Sequence, residues 1–80
     1  MKLKKGSQHA AIRLELLDAE MESYVNWRAE SRSVAESYRR WGCSVGRHRT
    51  AAFERYVVAL DQEELAAAEY RRAVELVRGT

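Results

Sequence analysis

An all-α protein is what this sequence predicts: an antiparallel hairpin of two helices that pairs with a second copy into a four-helix bundle. Three observations predict it. The 80-residue chain has no proline, and its four glycines, Gly6, Gly42, Gly46 and Gly79, fall only near the start, middle and end. The stretches between are rich in Ala, Glu, Arg and Leu, which lose little on entering a helix. Apolar residues recur along each stretch at steps of three or four, as one helix face requires. A single domain over residues 1–80 follows, near the lower size at which a hydrophobic core holds a fold alone.

The first helix is predicted over about residues 7–41. Ser7 stands where a hydroxyl can accept a bond from an orphan amide of the first turn. From there an apolar stripe runs Ala10, Leu14, Leu17, Met21, Tyr24, Trp27, Ser31, Val34, Tyr38, Trp41. Gly42 is expected to end the helix in the left-handed conformation open to glycine, with the bend over 42–46. The second helix is predicted over about 47–78, with a stripe Phe53, Tyr56, Leu60, Glu63, Ala67, Tyr70, Val74, Val77. Beside that stripe a heptad of alanines runs Ala52, Ala59, Ala66, Ala73. It reads equally as a surface for close helix approach or as plain helix propensity.

Folding at Gly42 to Gly46 sets Val34 against Phe53, Ser31 against Tyr56, Trp27 against Leu60 and Tyr24 against Glu63. In that register the Tyr24 hydroxyl would bond the one charged seam residue. The side chains left off the seam, Ile12, Leu16, Val25, Val58, Leu65 and Leu76, are expected to form the interface with a second hairpin.

Charge comes in bands. Residues 15–22 carry Glu15, Asp18, Glu20 and Glu22 without a base, and 61–69 carry Asp61, Glu63, Glu64 and Glu69 without one. In the expected register these runs lie side by side as an acidic belt between two basic ends. Such banding can set the register of a partner. Local pairs Arg32–Glu36, Glu36–Arg40 and Arg71–Glu75 are expected at helical spacing. Glu15, Asp18 and Glu22 share a helix face, but the Glu-x-x-His pairs of helical di-iron sites are absent, so no metal and no cofactor is predicted.

The bend stretch, residues 39–49, concentrates the remaining chemistry. Arg39 and Arg40 complement the negative end of the first helix, whereas Arg47, His48 and Arg49 oppose the positive end of the second. Free amides with Arg39, Arg40, Ser44, Gly46, Arg47 and Arg49 would cradle an anion, which would relieve that conflict. Cys43, the only cysteine, reads as a small bend residue. His48 has no acid or second histidine nearby for a hydrolytic triad, so no enzyme is predicted.

The expected function is therefore a non-enzymatic helical interaction or assembly protein that acts as a homo-oligomer. The alternative is an anion or nucleic-acid binder using the basic bend, with an acidic protein or a nucleic acid as partner. A net charge of +2 does not by itself imply nucleic acid. One cysteine precludes an internal disulfide and suits a reducing cytoplasm. The apolar stretch after MKLKK is interrupted by Arg13, Glu15 and Asp18, so neither a signal peptide nor a membrane partner is expected. Three lysines against eleven arginines suggest a GC-rich bacterial genome. A hairpin with Trp41 and Gly42 at its bend resembles in shape the WXG-type small secreted bacterial proteins, which pair into four-helix bundles. The motif of that family is not reproduced. Gly42 follows Trp41 directly, and Val74 stands where an acidic residue would follow Tyr70.

Overall fold

Two helices pack against each other along their length, α1 (Lys2–Cys43) and α2 (His48–Arg78). The computed structural model describes the backbone over residues 2–79 and the side chains over residues 9–79. The molecule is a rod whose Cα atoms span 70 × 14 × 13 Å. The antiparallel hairpin is thus as the helix periodicity predicts, but its bend, seam and register differ from expectation.

The bend sits later than expected. Gly42 lies inside α1, and among the described residues Gly46 alone has a positive φ, of 63°. What stops α1 is Ser44: its amide donates to the Trp41 carbonyl (3.1 Å) and its hydroxyl to the Arg40 carbonyl (2.6 Å). Two carbonyls orphaned at the helix end are thereby satisfied. Gly46 then takes the left-handed conformation that reverses the chain. The Arg49 amide bonds the Gly46 carbonyl at 3.1 Å, opening α2. At the other end, α1 runs without a break through Ser7, so the expected start there is not a helix boundary. The Ser7 side chain lies outside those described.

The seam is built from small residues. Among the described residues, Ala59, Ala66 and Ala73 are the buried ones, at 5%, 4% and 8% exposure. The alanine heptad expected beside the seam is the seam itself. Around it, Tyr56, Glu63 and Tyr70 on α2 and Ser23, Trp27, Glu30, Val34, Ser37 and Trp41 on α1 are half buried. The reason is geometric. Two helices alone can enclose only a narrow strip between them, and side chains no larger than alanine let the backbones close over it. Larger side chains spill to one side.

The register is displaced by one heptad. Ser31, not Tyr24, meets Glu63: its Oγ donates to Oε2 at 2.6 Å in a part-buried bond. Tyr24 instead lies against Tyr70, with ring centroids 5.5 Å apart. A shift of seven residues returns nearly the same face, so the stripe pattern fits both registers. The added length of α1 through Cys43 and the reversal at Gly46 choose between them. The displacement also dissolves the acidic belt. Residues 15–22 now lie at the level of Arg72, Glu75 and Arg78, and residues 61–69 at the level of Arg28, Glu30 and Arg32. No group of three or more metal-ligating side chains gathers among the described residues. Of the three expected local ion pairs, Arg40 with Glu36 forms, at 2.6 Å.

Candidate interaction surface

A line of side chains recurring every seven residues runs along one flank of each helix. On α1 it is Leu17, Tyr24, Ser31, Tyr38; on α2 it is Phe53, Leu60, Ala67, Val74. The Ser31–Glu63 bond and the ring contacts Tyr24–Tyr70, Tyr38–Tyr56 and Trp41–Phe53 place both lines on one side of the hairpin. With Leu14, Met21 and Val57 they form a continuous apolar face. Its larger members are exposed, from 37% at Leu60 and Val57 to 70% at Met21. All but Val57 are residues that the periodicity predicts inside the hairpin.

Two matched aromatic clusters organise this face. Trp27 stacks on Tyr70 with centroids 5.5 Å apart and planes at 14°, and Trp41 stacks on Tyr56 at 5.5 Å and 18°. Tyr24 meets Trp27 edge-on at 6.0 Å and 72°, and Tyr38 meets Trp41 at 6.0 Å and 76°. Each tryptophan carries a guanidinium, Arg28 at 5.6 Å from Trp27 and Arg49 at 5.3 Å from Trp41. The likeness has a sequence origin. Glu22-Ser23-Tyr24-x-x-Trp27 recurs as Glu36-Ser37-Tyr38-x-x-Trp41, and Tyr56-x-x-Ala59 recurs as Tyr70-x-x-Ala73. Both repeats have a period of two heptads, which returns a residue to the same face of packed helices. A search for self-similarity at heptad multiples finds them; reading apolar stripes alone does not.

Of the expected interface residues, Val58, Leu65 and Leu76 share one flank of α2. Leu16 is half buried at the seam, while Ile12, Val25, Val58, Leu65 and Leu76 are exposed. Val58 and Leu65 each precede a member of the Leu60–Ala67 line by two residues, which turns them roughly 200° away around α2. They lie on the flank opposite the aromatic face. On that side, near the bend, Arg40, Cys43, His48, Ala51, Ala52 and Arg55 line a groove of about 400 Å³.

The residues expected to cradle an anion have mostly internal partners. Arg40 is bonded to Glu36, and Arg49 covers Trp41 while donating to the Ser44 carbonyl at 3.4 Å. The Ser44 hydroxyl is turned to the Arg40 carbonyl, and Gly46 serves the chain reversal. Arg39 and Arg47 are exposed. Arg47 precedes α2 without a side-chain cap, and the first turn of α2 holds no acid. Cys43 closes α1 as a free, exposed thiol. Among the described residues no helix is long and apolar enough to cross a membrane. Comparison with protein-family models, curated proteins and solved structures finds no match for this chain.

Proposed function

We propose that this is a non-enzymatic helical assembly protein that works as a homo-oligomer, its unit a four-helix bundle made by two hairpins. One observation carries the reading: among the described residues three alanines are the buried ones, while Leu17, Met21, Tyr24, Tyr38, Phe53 and Leu60 stand exposed along one flank. A folded domain of this size needs more buried apolar surface than three alanines and the half-buried side chains around them supply. Pairing two such flanks adds it without any change in the hairpin. A cytoplasmic setting fits the single free thiol, and the arginine-rich composition fits a bacterial source.

Sedimentation equilibrium at micromolar concentration tests this. The expected species is a dimer, weakened at least tenfold by Met21→Glu on the apolar flank and little changed by Leu65→Glu on the opposite one. A thermal transition that rises with protein concentration should accompany it. A folded monomer at all concentrations overturns the proposal.

A further inference from the structure

We infer that the occupant of the apolar flank is a second copy laid on it upside down, with the two bends at opposite ends of the bundle. This rests on the assembly reading above and adds its orientation. Face-to-face pairing allows two symmetric arrangements: both bends at one end, or bends at opposite ends. Charge separates them. Positions 39–55, at the bend, hold five arginines against one glutamate, a balance of +4. The level that the bend of an inverted partner would face, positions 13–22 with 69–78, holds four arginines against six carboxylates, a balance of −2, while Lys2, Lys4 and Lys5 lie beyond it on α1, past the end of α2. Bends at one end would stack +4 on +4 and −2 on −2. Inversion lays each basic bend over the acidic stretch of its partner. Exposed charges of this kind decide orientation more than affinity. Glu63 at the level of the axis, with Asp61 and Glu64 beside it, comes closest to its counterpart in the inverted form, which loses this charge contact.

The aromatic clusters fit the same symmetry. Tyr24 and Tyr38 each lie one heptad from Ser31, and Tyr56 and Tyr70 each lie one heptad from Glu63. A two-fold axis at the level of the Ser31–Glu63 bond therefore carries one cluster onto the level of the other. Tyr24 of one copy comes level with Tyr38 of the other, where offset or edge-on ring contacts are available. The paired part of the hairpin, as long as the 31-residue α2, makes a face of ~46 by ~20 Å. Two such faces bury about 1,800 Å² together, within the range of stable specific dimers.

The native Cys43 offers a direct test, since it is the only cysteine, exposed, and on the flank away from the proposed contact. A nitroxide is attached there and the distance between labels in the dimer is measured by pulsed electron resonance. Inversion sets each label twelve residues along the rod from the Ser31 level on opposite sides, an axial separation of ~36 Å. A distance distribution centred at about 35–45 Å is the expected result. A dimer whose distances centre below ~35 Å, short of the axial separation that inversion imposes, places the bends together and overturns the inversion while leaving the assembly reading intact. Absence of any intermolecular distance in a sample that sediments as a monomer overturns both.

Discussion

The two central glycines have opposite roles, and substituting each by alanine separates them. Gly42 is in regular helix, and nothing lies within 4 Å of where its Cβ would stand. Gly42→Ala removes backbone freedom from the unfolded chain without a clash, so chemical denaturation should show it more stable by about 0.5–1 kcal/mol. Gly46 has φ 63°, where any other L-residue is strained, so Gly46→Ala should cost ~1–2 kcal/mol although its surroundings are equally open. Equal responses would mean that the chain does not reverse at Gly46. Ser44 shows why the bend was misplaced by sequence reasoning. Glycine is the familiar sign of a helix end, whereas a serine whose amide and hydroxyl both turn back on the last carbonyls resembles any serine until the chain is folded.

At the scale of the elements, the periodic signal identified both helices and the residues they bring near one another, but neither the centre of the seam nor its register. Heptad patterns repeat by design, so a slip of seven residues leaves apolar residues facing apolar residues. One polar contact breaks the degeneracy: Ser31 with Glu63. A double-mutant cycle on Ser31→Ala and Glu63→Ala should give a coupling of ~1 kcal/mol or more, since the bond joins a hydroxyl to a part-buried carboxylate. The cycle on Tyr24→Phe and Glu63→Ala should give none, because the Tyr24 ring lies against Tyr70 instead. Reversal of the two couplings would restore the register expected from Gly42. The apolar flank was legible as residues but misassigned as interior. Large side chains at helical spacing signify burial somewhere, and the sequence does not say whether inside one chain or between two. The alanine heptad held the missing information, because residues that small at every seventh position leave no room for tyrosine at the centre of the same strip.

For the whole molecule, the governing property is that both helices lie along a single axis. A body of 70 × 14 × 13 Å turns end over end far more slowly than it spins about its length. Peptide N–H bonds in an α-helix point nearly along the helix axis, so here almost every helical amide vector is aligned with the slow direction of tumbling. Nitrogen-15 relaxation should therefore be close to uniform through α1 and α2. The amides at positions 45–47, whose backbone departs from the helix, should relax as if attached to a faster-tumbling molecule. That contrast should persist, or grow, at low temperature, where local motion would fade. The bend would then act as an internal compass needle set across the rod, reporting direction rather than looseness.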